Sequence, residues 1–148
     1  MDPKHAVADL TMKWMNVVHR TVWQVSGGRL LDRPMGMPTV ELITTGRRSG
    51  QPRRTMLTAP IADEGRVVLV ASKGGDDRHP DWYRNLTANP DVEVRLGGQQ
   101  RAMRARTATP EEKAELWPRI TQTYQGYAGY QKRTDRDIPV VICEARQP

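Results

Sequence analysis

Phenylalanine is missing from the 148 residues, so four tryptophans and four tyrosines supply all of the aromatic surface. Cysteine is almost missing too. The single Cys143 excludes an internal disulfide and suits a reducing compartment. It sits in the apolar run VVICE and reads as a buried, inert thiol. Three histidines, His5, His19 and His79, are not spaced with one another or with cysteine as metal ligands are. No run approaches the ~18 apolar residues that span a bilayer. Lys13, Asn16, His19 and Arg20 also interrupt any compact secretory core near the N-terminus. These absences lead us to expect a soluble or peripherally bound protein in the cytoplasm.

Several familiar chemistries are absent as well. GRRSG is not a nucleophile elbow, because its serine lacks the glycine two residues ahead. SKGG is not a nucleotide-hydrolase phosphate loop, which needs two glycines spanning four residues before Lys-Ser/Thr. No pair of carboxylates stands out on an apolar face. An enzyme built from this sequence therefore needs a bound cofactor for its difficult step.

What is present is positive charge. The formal net charge is +6, from 23 Lys and Arg against 17 Asp and Glu, which favours anionic partners. Four arginines, Arg47, Arg48, Arg53 and Arg54, crowd into one acid-free turn, GRRSGQPRR. A solvated loop tip is the ordinary outcome for such a turn. Gly46, Gly50 and Pro52 tie it down, however, and its amides and guanidinium forks suit phosphate or carboxylate oxygens.

The length suits one domain with a sizeable core. Residues 4–25 carry Leu10, Trp14, Val17, Val18, Val22 and Val25 at helical spacing, ending at Gly27-Gly28. That stripe fits a helix packed on the domain and, equally, a surface helix touching a membrane. Residues 1–28 are thus set apart from a domain over 29–148. Strands are predicted at 39–45, 53–61, 66–72, 92–96, 100–107 and 138–145, joined by short turns. A helix spans about 80–88, and another opens at Thr109 with Pro110 and Glu112 completing a capping box. Pro118 is expected to kink it and Gly126 to loosen it. The order predicts an α+β fold: a closed or split barrel of about six mostly antiparallel strands with helices outside.

Two stretches could face a flat guest. VASKGGDD ends a strand with Ser72, Lys73 and a flexible Gly74-Gly75, although Asp76 and Asp77 would repel an anion there. TYQGYAGY repeats Tyr124, Tyr127 and Tyr130 every third residue, with small residues between them. Trp82 and Leu86, one helical turn apart, read as core.

Three segments, TTGRRSGQPRRTML, VASKGGDDRHPDWYRNLTANPDVEV and YQGYAGYQKRTDRDIPVVICE, resemble the deazaflavin-dependent nitroreductase family of actinobacteria. The resemblance runs from about residue 20 to the C-terminus. It implies a split β-barrel related to flavin-mononucleotide-binding oxidoreductases and a cofactor, coenzyme F-420, an 8-hydroxy-5-deazaflavin with a phosphodiester and an oligoglutamate tail. By resemblance, Arg48, Ser49 and Gly50 contact it, as do Arg54, Thr55, Met56, Leu57, Thr58 and Ala59. Val70, Ala71, Ser72 and Lys73 do so from the next strand. Asp81, Trp82, Tyr83, Arg84 and Asn85 close over it, and Tyr127 faces the ring. The catalytic candidates are Ser72 and Tyr127, orienting ring and acceptor, and Tyr130, with Tyr124 further out, donating a hydrogen bond to the developing anion of the acceptor. Thr58 and Ala59 replace bulky aromatics of the family's best-known nitroreductase, so its prodrug activity does not carry over.

The function implied is hydride transfer from the reduced cofactor to a quinone, enone or nitroaromatic. A lipid-soluble quinone would give the N-terminal helix a purpose at the inner face of the membrane. Two other readings use the same residues: a barrel holding flavin mononucleotide, and a basic module binding nucleic acid through the arginine turn. No metal site is expected.

Overall fold

The computed structural model describes residues 37–63 and 65–146. The N-terminal segment 1–28, with its expected helix, lies outside the described residues. Seven strands form one antiparallel sheet: β1 Thr39–Thr45, β2 Pro52–Thr58, β3 Ile61–Asp63, β4 Arg66–Val70, β5 Asp91–Leu96, β6 Gln99–Thr107 and β7 Val140–Ala145. Their spatial order is β2-β1-β5-β6-β7-β4-β3. The two outer strands, β2 and β3, are consecutive in the chain and separated only by Ala59 and Pro60. A single bent strand therefore joins the ends of the sheet and curls it into a barrel. The run 53–61 divides at this bend because Pro60 has no N–H for a ladder. The Ala59 amide bonds the Pro38 carbonyl at 2.9 Å instead.

Alternation along the strands sorts side chains into two cores. Val40, Leu42, Val67, Leu69, Val92, Val94, Met103, Ala105, Val141 and Cys143 fill the barrel. Helix α1, Asp81–Ala88, adds Trp82 and Leu86 to that interior, as their spacing predicts. The opposite face presents Ile61, Val68, Val70, Val140 and Ile142 to Leu116 and Ile120 of helix α2, Pro110–Thr123, and to Tyr127 of helix α3, Gly126–Lys132. Cys143 is fully buried, and burial pushes its thiol up to about 12.

Helix α2 starts where its sequence predicts. The Glu112 amide donates to Thr109 Oγ1 at 3.2 Å, and the Thr109 amide donates to Glu112 Oε1 at 2.9 Å. Pro118 does not end the helix, which runs on to Thr123. Both Pro118 and Ala114, four residues back, are exposed, so the carbonyl left unmatched by the missing N–H can reach water. The break falls instead at Tyr124-Gln125, just before Gly126, where a Cβ would lie 2.3 Å from the Tyr124 ring.

Trp82 is 7% exposed inside the barrel mouth. Trp82→Ala should lower the unfolding free energy by about 3–5 kcal/mol in denaturant titration. A change below about 1 kcal/mol would deny it a core role.

Candidate active site

The bend that closes the barrel also opens it. Strand β3 pairs with β4 from Ile61↔Val68, while β2 pairs with β1 as far as Thr39↔Thr58. Strand β4 pairs with β7 up to Val70↔Val140. Beyond the bend, no ladder joins β2 to the chain leaving β4, and a split separates them. Ser72 and Lys73 lie on one side of it, with Thr55 and Leu57 on the other.

The loop after β4 takes an unusual course. Lys73, Gly74 and Gly75 all have left-handed backbones, with φ of 47°, 64° and 84°. Lys73 is the single non-glycine residue of that kind among the described residues. Glycine at 75 has a second reason: a Cβ there would stand 2.9 Å from the Tyr130 carbonyl and 3.0 Å from Arg133 Cβ. The Gly-Gly pair thus brings the Lys73 turn directly against the helix that carries the tyrosines. Asp76 does not oppose an anion as its position in the sequence implies. Burial raises its pKa, but the Arg78 backbone and guanidinium bonds, at 2.8, 3.1 and 3.1 Å, outweigh that and hold the carboxyl well below the usual range.

The tyrosines form one cluster, with ring centroids 5.2–6.3 Å apart. Tyr127 is buried and its hydroxyl lies 3.2 Å from Thr58 Oγ1, linking α3 to β2. Burial pushes the Tyr127 phenol up. Tyr124 and Tyr130 hydroxyls are 3.3 Å apart, and that bond, with burial, raises Tyr130 to about 12. Both Tyr127 and Tyr130 therefore stay protonated in neutral solution.

The arginine turn is held from below. Asn85 Oδ1 accepts from the Arg47 amide at 3.2 Å and from Arg47 Nη1 at 2.9 Å, and Asn85 Nδ2 donates to Thr44 Oγ1 at 3.3 Å. Arg47 Nη2 also reaches Asp81 at 3.4 Å. Arg54 meets Glu41 at 2.8 Å; Glu41 is fully buried and its second oxygen has no hydrogen-bond partner. Arg48 and Arg53 have no carboxylate partner among the described residues. Both are exposed, Arg53 touching only Ser49 Oγ at 3.4 Å.

The sequence-predicted contacts therefore separate. Arg48, Ser49 and Gly50 lie in the turn between β1 and β2, Thr55 and Leu57 are half-buried on β2 with Leu57 against the barrel core, and Ser72 and Lys73 follow the end of β4. Met56 and Ala59 are buried, Ala59 within the barrel core. Val70 belongs to the helix-covered face and Ala71 to the barrel interior. On α1, Trp82 is core, Asn85 anchors the turn, and Tyr83 bonds Thr107 at 2.8 Å and packs on His79; Arg84 is exposed. Two of the cavities among the described residues lie near these segments. One of about 210 Å³ is lined by His79, Tyr83, Thr107, Lys113 and Asp137. The other, of about 260 Å³, touches Gly50, Pro52, Glu93 and Arg146 beside the turn. The supporting roles of Glu41 and Arg47 were missed. A lone acid in the apolar strand TVELITT, facing arginines across a hairpin, was the available signal for Glu41.

Comparison with known proteins narrows the chemistry. The family model described as F-420H(2)-dependent quinone reductase matches residues 14–145. The chain belongs to that family. An F-420H(2)-dependent quinone reductase of Mycobacterium tuberculosis is 40% identical over 133 residues, covering 87% of this chain and 89% of its own. The solved structure of an F-420-H2-dependent reductase aligns at 42% identity with a TM-score of 0.66, covering 72% of this chain and 94% of that one. Another, described as a domain-swapped dimer, aligns at 38% identity with a TM-score of 0.69, covering 97% and 100%. Membership makes the chain a deazaflavin-dependent reductase with coenzyme F-420 as its cofactor, and the barrel is of the split type. The donor set suits that group. Its anionic tail is matched in charge by the Lys73 ammonium and by the exposed Arg48 and Arg53, which have no carboxylate partner among the described residues.

Two outcomes test this geometry. Gly75→Ala forces a Cβ into a backbone carbonyl at positive φ, and should cost about 1–3 kcal/mol by thermal unfolding. Arg54→Ala strands the Glu41 carboxylate and should cost a similar ~1–3 kcal/mol, part of it recovered on adding Glu41→Gln. Equal stability of single and double variants would show that the pair carries no charge coupling.

Proposed function

We propose that the chain catalyses hydride transfer from reduced coenzyme F-420 to a quinone at the split beside the tyrosine helix. The observation that carries this reading is the close approach of Gly75 to Tyr130, which sets the Lys73 turn and the phenols on one rim. Lys73, Arg48 and the amides of Ser49 and Gly50 hold the anionic tail, and Ser72 lies against the ring. A non-glycine residue kept in a strained turn is the kind of outlier that functional sites retain. When bound, the reduced cofactor supplies the hydride. The chain's own residues hold the acceptor close to it and keep water out. Tyr130, with Tyr124 behind it, donates a hydrogen bond to the oxygen on which negative charge develops. Tyr127, already engaged with Thr58, keeps α3 against β2 and faces the ring side of the cluster.

Enones and nitroaromatics place developing charge on oxygen in the same way, so they fall within the proposed acceptor range. Nitro-prodrug reduction falls outside it, because Thr58 and Ala59 are small, Thr58 is occupied by Tyr127, and Ala59 is buried. No helix among the described residues is long and apolar enough to cross a membrane. A lipid-soluble quinone would be met through residues 1–28 at the membrane surface; deleting residues 1–25 should then release the protein from vesicles.

Titration with coenzyme F-420 should quench its fluorescence at one equivalent per chain. Lys73→Ala and Arg48→Ala should each weaken that binding by about 1–3 kcal/mol. Tyr130→Phe should leave the dissociation constant alone and lower turnover with a quinone. A preparation that binds nucleic acid with a steep salt dependence and leaves the fluorescence unchanged would favour the nucleic-acid reading instead.

A further inference from the structure

Arg136, in the segment between α3 and β7, reaches back some sixty residues with every nitrogen of its guanidinium. Nε donates to the Asp76 carbonyl at 2.8 Å, and Nη2 to the Ser72 and Ala71 carbonyls at 2.9 and 3.2 Å. Nη1 lies 3.1 Å from His79 Nδ1. Arginine has donors only, so His79 Nδ1 is the acceptor and the imidazole carries its proton on Nε2. All four partners belong to the stretch that leads into and out of the Lys73 turn.

We propose that Arg136, with neutral His79 as its fourth acceptor, is the positioning residue that holds Ser72 and Lys73 in place for coenzyme F-420. The role rests on the cofactor seat proposed above. Strand β4 makes its last ladder pair at Val70↔Val140, so the Ala71 and Ser72 carbonyls lie where the sheet stops supplying partners. The turn itself has two internal backbone bonds, Gly75 to Ser72 and Asp76 to Lys73, at 2.9 and 3.1 Å. Gly74 and Gly75 adopt left-handed backbones freely, but Lys73 at φ 47° keeps its own only if the surroundings over-determine it. A planar fork can serve neighbouring carbonyls and an imidazole at once, whereas a lysine ammonium cannot. The same guanidinium springs from the chain that follows the tyrosines, so it ties the Lys73 turn to the segment leaving α3.

The imidazole makes this arrangement sensitive to acid. Burial first, then Arg136 and Arg84, push His79 below its ordinary value. Facing it are Arg136, Arg84 and Tyr83 of α1, Asp76 and Arg78 of its own loop, and Lys113 and Asp137 across the shared cavity. A lowered folded-state pKa means the contribution is present above the unfolded value and is lost as pH falls through the folded one. Protonated Nδ1 would point a donor at a donor.

Hydrogen exchange over residues 71–79 and fluorescence titration with coenzyme F-420, from about pH 8 to about pH 5, test the assignment on the full chain. Arg136→Lys should speed exchange at the Gly75 and Asp76 amides and weaken cofactor binding by about tenfold. Wild-type affinity should fall on the acid side. His79→Asn, whose Oδ1 can accept at the Nδ1 position without titrating, should lose that acid limb. Unchanged exchange in Arg136→Lys, or the same acid limb in His79→Asn, overturns the role while leaving the cofactor seat intact. A wild type that does not bind the coenzyme overturns the seat and this role together.

Discussion

The bend at Ala59-Pro60 is the constraint on which the architecture depends. One length of chain, residues 52–63, must serve β1 on one side of the bend and β4 on the other. Proline has no ladder N–H, so the register is interrupted there, and the two ladders diverge. Barrel closure and barrel splitting are thus the same event. An open strand edge inside an otherwise closed sheet is unfavourable unless its polar groups meet water or a ligand. Here the edge is lined on one side by half-buried Thr55 and Leu57. The opposite side is a turn whose strained geometry depends on a guanidinium.

Charge is distributed to match. The formal excess of +6 is not spread evenly, because Arg47, Arg54, Arg78, Arg106, Arg119 and Arg146 all have carboxylate partners. Within the arginine turn, two of four are neutralised and act as supports. Arg47 anchors the turn to α1 through Asn85, and Arg54 covers a buried carboxylate. Among the described residues, Arg48 and Arg53 have no carboxylate partner, which leaves them able to attract an anion. Density of arginine in the sequence therefore measured the turn's charge about twice too generously. The pairing of Asp76 with Arg78 corrects in the other direction, removing a repulsion that the sequence appeared to place beside Lys73.

Much of the fold was legible because its signals are local. β-branched runs mark five of the six expected strands to within a residue or two, the run 53–61 proving to be two strands divided at Ala59-Pro60, and Thr109-Pro110-Glu112 marks the start of α2. Pro118 sits inside α2 without ending it, and the cost of such a proline depends on whether the unmatched carbonyl can reach water, which is a tertiary property. The site was legible at the level of segments and not of side chains. Asp81, Trp82, Tyr83 and Asn85 share one helix yet turn toward a guanidinium, the barrel core, a threonine on β6 and the arginine turn. A helix distributes consecutive residues around its axis at about 100° each, so a contiguous motif cannot be a contiguous surface. Arg136 was invisible for a different reason: three of its four partners are backbone carbonyls, which leave no trace in residue identity.

The tyrosine cluster defines which kind of help a reacting oxygen can receive. A general acid works best with a pKa near the working pH, and a phenol held at about 12 by its neighbour and by burial is far from that. Complete proton transfer from Tyr130 is therefore the unfavourable route in the proposed reaction. A neutral phenol fixed by a partner hydroxyl is instead a preorganised dipole, and its hydrogen bond strengthens as charge builds on the oxygen it faces. The same burial that makes the phenol a poor acid makes it a dependable donor, since it does not ionise at neutral pH. The phenols of α3 and the ammonium of the adjoining turn thus take separate electrostatic tasks in the proposed reaction. The cation neutralises charge that is permanent, while the phenol answers charge that exists only as the hydride arrives.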